Sequence, residues 1–294
     1  MIISVASGKG GTGKTFVATN LALSIEREVY PVPINRDGVQ FLDCDVEEPD
    51  GHIFLKPTLT ESQPVNIPIP RVDQEKCNAC GICVKVCQFN ALALVKEKVL
   101  VFPELCKGCG GCSLLCPQKA ISEVERPIGV MEKGKAGEID FIRGRLNISE
   151  IQAVPIIRKL KREIKKNKIV IIDVSPGTSC PMVESIRGSD FCTLVTEPTP
   201  FGLHDLKMAV EVVKKLKIPF GVIINRDGIG DEKVEEFCRE NKIPILLKIP
   251  YSKDIAFAYS KGAPIIEEKS EYKAKFKELF NSIRTLIITR MSTD

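Results

Sequence analysis

The sequence predicts an α/β fold: a mostly parallel sheet with helices on both faces, plus a small inserted α+β unit. Three observations lead there. Short apolar runs alternate with helix-length amphipathic segments from end to end, the pattern of a sheet buried on both faces. A glycine-rich loop joins the first such run to the first helix. Eight of the twelve cysteines crowd between Cys77 and Cys116, where the alternation stops.

In chain order, "IISVAS" (2–7) is the first strand and a helix runs from about Lys14 to Glu26. "VQFLDCD" (39–45) is the second strand. "KPTLTESQPVNIPIPR" (56–71), punctuated by prolines, reads as an extended linker. The cysteine block follows, and by about Arg126 the pattern without cysteines resumes. A basic helix, "RKLKREIKKNK" (158–168), precedes the strand "KIVIIDV" (168–174). "DFCTLVT" (190–196), "PFGVIIN" (219–225) and "PILLKIP" (244–250) complete the strands, each set apart by a helix-length segment. The division expected is 1–70 with 126–294 as one discontinuous domain and 71–125 as an insertion in a surface loop. A ligand of such a sheet belongs at the carboxyl ends of its strands.

Bulk properties exclude little. The chain is 44% hydrophobic and 27% charged with a net charge of +4, so nothing in the balance asks for nucleic acid. No apolar run reaches the roughly 18–20 residues of a membrane span. The chain goes almost directly into "MIISVASGKGG" with no signal peptide, and the expected location is cytoplasmic.

Gly8, Gly13, Lys14 and Thr15 satisfy G-x-x-x-x-G-K-S/T, with strand before and helix after. Gly8 and Gly10 to Thr15, that is Gly10, Gly11, Thr12, Gly13, Lys14 and Thr15, form the expected phosphate cradle at a helix N-terminus. Lys14 faces the β- and γ-phosphates and the Thr15 hydroxyl ligates Mg²⁺. ATP and Mg²⁺ are therefore expected cofactors. Lys9 is surplus to that loop.

The cysteine block repeats C-x2-C-x2-C-x3-C as "CNACGICVKVCQFNAL" and "CKGCGGCSLLCPQKAI". This is the two-cluster ferredoxin signature, in which the fourth cysteine of each run serves the other cluster. One [4Fe–4S] cluster is expected on Cys77, Cys80, Cys83 and Cys116, the other on Cys106, Cys109, Cys112 and Cys87. Structural zinc, which favours two C-x2-C pairs across a long gap, fits this spacing poorly. Gln88 stands where proline usually follows Cys87.

The string "KGGTGKT" resembles the deviant phosphate loop of the MinD/ParA/Mrp ATPases, which include the nitrogenase iron protein, and the resemblance covers nearly all the chain outside the insertion. It implies an ATPase that works as a homodimer or as a heterodimer with a related ATPase. "LDCDVEEPDGHIFL" is similar to the family's second motif, implying that Asp45 positions the attacking water and that Asp43 supports the Mg²⁺ site. "IIDVSPGTSCP" resembles the switch, with Asp173 holding a Mg²⁺-bound water. "GVIINR" places Asn225 at adenine, and "IPYSKDIAFAYSKGAPII" places Pro250 beside the base. The resemblance gives Lys9 a role in trans, reaching the partner's nucleotide. Phe16 departs from the pattern, where Thr or Ser often touches the α-phosphate.

Cys180 has the same spacing from Asp173 as a cluster-ligating cysteine of the nitrogenase iron protein. Cys44, Cys192 and Cys238 read as core, which favours a lone interfacial thiol or plain packing for Cys180 over a third cluster. In the C-terminal segment Tyr272, Phe276, Leu279, Phe280 and Ile283 share a helical face that is expected to pack on the sheet rather than bind a membrane. The expected function is ATP-driven dimerisation gating electron transfer or metal-cluster assembly for a redox or metallocluster partner protein. The alternatives are a positioning ATPase with structural clusters and an Mrp-like cluster carrier.

Overall fold

The computed structural model of this 294-residue chain describes residues 1–26 and 38–291. Its strands are β1 (Ile2–Ala6), β2 (Val39–Asp43), β3 (Thr58–Val72), β4 (Leu92–Val95), β5 (Lys98–Val101), β6 (Ile121–Ala136), β7 (Ile139–Leu146), β8 (Ile169–Asp173), β9 (Phe191–Thr196), β10 (Phe220–Asp227) and β11 (Ile245–Pro250). Its helices are α1 (Lys14–Glu26), α2 (Gly51–Leu55), α3 (Ile82–Val86), α4 (Gly111–Leu114), α5 (Ala153–Lys161), α6 (Cys180–Ile186), α7 (Pro200–Lys215), α8 (Lys233–Glu240), α9 (Lys253–Ser260), α10 (Ile265–Glu268) and α11 (Ser270–Met291).

Nine strands form one sheet in the order β11-β10-β9-β1-β8-β2-β7-β6-β3. From β11 to β7 every neighbouring pair is parallel. The β7–β6 and β6–β3 pairs are antiparallel. The strands β1, β2, β8 and β9 are buried almost throughout because both faces are covered, which is why apolar residues dominate them. One face carries α5, α6, α7 and α8, with Ile156, Met182, Leu206 and Val234 in its core. The other carries α1, α10 and α11. Tyr272, Phe276, Leu279, Phe280 and Ile283 of α11 are all buried there, so the helix packs as expected.

The segment read as a linker is instead a strand. β3 is hydrogen-bonded to β6 over nearly its whole length, from Thr58↔Lys135 to Val72↔Ile121. Its prolines disguise it. As the last strand of the sheet it has, among the described residues, one edge without a ladder, and an edge tolerates residues that cannot donate. Pro127 of β6 lies beside a register shift opposite Val65 and Asn66, where the ladder is already interrupted. The boundaries drawn at 70 and 126 thus fall within paired strands. The basic helix also ends sooner than expected, since α5 stops at Lys161.

Beyond the far end of this ribbon the chain forms a small lobe. It holds α3, the antiparallel β4–β5 pair, α4 and a satellite core of Cys83, Leu92, Val99 and Ile121. All eight clustered cysteines lie in it.

Candidate functional site

The loop after β1 lies at the carboxyl end of the parallel strands and leads into α1, which is buried through Ile25. Gly13 takes a left-handed backbone at φ +94, and a Cβ there would lie 2.3 Å from Asn225 Nδ2. Asn225 uses that amide to donate to the Thr12 carbonyl at 2.8 Å, tying the end of β10 to the loop. At Gly8 a Cβ would sit 2.2 Å from the Asp205 carbonyl oxygen, so glycine is needed for α7 to approach.

Lys14 is buried and donates to Asp45 Oδ2 at 2.7 Å. Asp43 and Asp173 are register partners at the ends of β2 and β8, and both are fully buried. Three carboxylates therefore surround one ammonium. Burial opposes the Lys14 charge, but Asp173, Asp45 and Asp43 together hold its pKa above the usual value. Burial pushes all three carboxyls up, with Asp173 reaching about 6 against the pull of Lys14.

The acids differ in their partners. Asp43 Oδ2 accepts from Gly51 N at 2.9 Å and its Oδ1 from Asp45 N at 3.2 Å, so it organises the turn after β2. Among the described residues, neither Asp173 oxygen has a hydrogen-bond partner. A buried carboxylate left unpaired is costly, and a hydrated cation beside Thr15 would relieve it. The residues present thus fit Mg²⁺.

A cavity of about 390 Å³ opens over the loop. Gly10, Gly11, Gly13, Lys14, Thr15 and Asp45 line its phosphate end. Asn225, Pro250, Tyr251, Ile255 and Tyr259 line the other. The segments at the ends of β10 and β11 are thereby brought together with the loop. Gly8, Thr12, Lys9, Asp43 and Asp173 are not part of that lining. Tyr259 packs against Phe16 and Phe54, with ring centroids 6.5 and 5.0 Å apart, so Phe16 joins an aromatic wall. Neither tyrosine was singled out by sequence, although both stand in the segment around Pro250.

Lys9 points back into its own subunit, 3.2 Å from Glu197 Oε2. Glu197 is buried at the end of β9, and its other oxygen pairs with Arg226. Nothing in the sequence marked Glu197, because no motif spans the distance to Lys9.

In the lobe, one hollow is lined by Cys87, Cys106, Cys109 and Cys112 and a second by Cys77, Cys80, Cys83 and Cys116. Each takes three cysteines from one run and the fourth from the other. Ala91 N donates to Cys87 Sγ and Ala120 N to Cys116 Sγ, both at 3.3 Å, and Gly108 N to Cys106 Sγ at 3.4 Å. Among the described residues no three metal-binding side chains converge on a single ion. An all-thiol set spread round a hollow suits a multi-iron cluster better than one ion.

Cys180 is exposed at the first position of α6, while Cys44, Cys192 and Cys238 are fully buried. Burial pushes Cys192 up to about 12 and Cys238 up to about 11, which leaves them inert packing groups. The basic stretch is largely engaged: Lys165 and Lys168 pair with Asp140, and Arg158 with Glu184. Among the described residues no helix is long and apolar enough to cross a membrane.

A family profile described as the CobQ/CobB/MinD/ParA nucleotide binding domain matches residues 3–265. An uncharacterized protein of Methanocaldococcus jannaschii is 32% identical over 91% of this chain and 92% of its own. An iron-sulfur cluster carrier protein of Pyrococcus horikoshii is 26% identical, covering 94% of this chain and 83% of that one. Among solved structures, the cell division ATPase MinD of Pyrococcus furiosus superposes with a TM-score of 0.58 at 19% identity, covering 97% and 98% of the two chains. The septum site-determining protein MinD of Pyrococcus horikoshii, complexed with Mg-ADP, superposes at 0.57 with 18% identity over 95% and 93%.

Proposed function

The chain belongs to the CobQ/CobB/MinD/ParA nucleotide-binding family, and on that footing we propose that it is an ATP-hydrolysing iron–sulfur protein whose ATP-driven dimerisation gates electron transfer or cluster assembly for a partner protein. The observation that carries this reading is the crossed grouping of the cysteines, two hollows of four thiols each in a chain whose other part is a MinD/ParA-type ATPase. The N–H donors to Cys87, Cys106 and Cys116 support it, since such bonds favour the charged sulfur of a ligated thiolate. When bound, two [4Fe–4S] clusters supply one-electron carriage.

The chain's own residues divide the hydrolytic work. Backbone amides of Gly10 to Thr15 take the phosphates, and Lys14 exchanges Asp45 for phosphate oxygen. That exchange frees Asp45 to orient water. Thr15 and Asp173 would hold a hydrated Mg²⁺, and Asp43 fixes the turn that carries Asp45. Asn225, Pro250 and the tyrosine wall enclose the base. Lys9 completes the charge in the partner's site once it leaves Glu197. The partners are a second copy or a related ATPase and a redox or metallocluster protein.

The test is anaerobic purification followed by iron analysis and electron paramagnetic resonance with and without Mg-ATP. About eight irons per chain and a nucleotide-dependent spectrum or potential are expected; a potential indifferent to nucleotide removes the gating. A second reading, a cluster carrier, is favoured by the relatives bearing that name. It predicts transfer of iron to an apo-ferredoxin, and clusters that stay bound exclude it.

A further inference from the structure

We infer that α5 and Gln152 carry the state of the nucleotide switch to the cysteine lobe, with Gln152 as a positioning residue for the Cys106 loop. The inference rests on the reading that nucleotide gates the lobe. It starts at the switch, residues 173–180, which is tied on both sides to the phosphate site. Ser175 Oγ donates to the Cys44 carbonyl at 2.7 Å, and Gly177 N to the Ser7 carbonyl at 3.0 Å. The switch runs directly into α6.

α6 is held at its far end by α5. Lys161 Nζ donates to the carbonyls of Glu184, Ser185 and Arg187, the first at 2.7 Å, and Arg158 pairs with Glu184 at 3.2 Å. Those carbonyls end a helix and have no intrahelical donors, so a cation there is well placed. At the opposite end of α5 the buried Gln152 donates from Nε2 to the Cys106 carbonyl at 2.8 Å. This contact bypasses the ribbon of β3 and β6. Glu150 braces the turn before it, accepting from Gln152 N at 3.2 Å while pairing with Arg126 at 2.6 Å.

α5 lies close on the sheet, since Ile156 fills the space that a Cβ on Gly129 or Gly144 would take. A short helix so packed slides as a unit, the small shear by which packed helices transmit displacement. A move of α6 on nucleotide closure therefore displaces the carbonyl of Cys106, itself an expected cluster ligand. The contacts form one contiguous set from the switch to the lobe, the kind of packed and hydrogen-bonded chain through which coupling between sites can travel.

The test is amide hydrogen exchange on the full-length, cluster-loaded protein with and without a non-hydrolysable Mg-ATP analogue. In the wild type, exchange of amides 107–112 is expected to change about threefold or more, together with that of the switch. Gln152→Glu keeps the shape but removes the donor, and Gln152→Met replaces it with an apolar chain. In either folded variant the change at 107–112 should fall below about 1.5-fold while the switch response and ATP turnover persist. A folded variant that keeps the full change at 107–112 overturns the inference and leaves the gating reading standing. A wild type whose switch responds while 107–112 does not overturns both.

Discussion

Lys9 and Glu197 form an ion pair 3.2 Å apart within one subunit, and Glu197 is shared with Arg226. The lysine that the resemblance sends to a partner's nucleotide is thus held at home. Arg226 also lines the nucleotide cavity, so occupation of that cavity bears on the same carboxylate.

The first prediction separates the two partners of that pair. Lys9→Ala should bind ATP as the wild type does but hydrolyse it about a hundredfold more slowly or worse, the behaviour of a missing trans cation. Glu197→Gln should make turnover reach its plateau at lower protein concentration, read from ATPase rate against enzyme concentration. An unchanged concentration profile would show the ion pair to be incidental.

Asp45 competes with phosphate for Lys14, because the two side chains are hydrogen-bonded at 2.7 Å. Asp45→Asn removes that competitor and one of three buried acids. We expect ATP affinity to rise several-fold, by calorimetric titration, while turnover falls about a hundredfold or more. A loss of affinity would instead mean that Asp45 holds the loop in its binding shape.

The crossed cysteine sets give an asymmetric expectation. Cys116→Ser should lose the cluster of the first run and Cys87→Ser that of the second, each leaving about four irons per chain. The two variants should then show complementary paramagnetic spectra. Identical spectra would contradict the crossing.

Asp140, the second residue of β7, is bridged to Lys165 at 2.7 Å and to Lys168 at 2.8 Å. Burial works against its charge, yet the two lysines outweigh burial and hold the carboxyl below its ordinary range. Its contribution to stability is therefore complete above the unfolded carboxylate pKa of about 3.9 and is lost as pH falls through the lower folded value. Asp140→Asn should cost about 1 kcal/mol at pH 7, with a deficit that closes on acidification. Denaturant melts across pH 3 to 7, taken as a rough working range, check this.

The parallel strands were legible because a strand buried on both faces is mostly apolar, as β1, β8 and β9 are. β3 was not, since an edge strand keeps its prolines and its solvent-facing polar residues and so resembles a linker. β6 and β7 were overlooked for a related reason: they are recognisable by their pairing with β3 and β2, and pairing is not a local property. At the site, Lys14, Thr15 and the cysteines stand in short motifs whose spacing carries their chemistry. Glu197 and Gln152 do not. Each acts on a group far away in the chain, Lys9 and the Cys106 carbonyl, through contacts that exist only once the sheet has formed.

The ribbon that bears the lobe has a consequence for how such a protein can be remade. Val72 and Ile121 are register partners, and Asp73 N donates to the Ala120 carbonyl at 2.8 Å. The chain departs and returns at one point, as in a hairpin whose tip has been exchanged for the cysteine-bearing lobe. A tight turn joining Val72 to Ile121 closes the same hairpin. A chain with such a turn in place of residues 73–120 is therefore expected to keep the sheet, which circular dichroism would check.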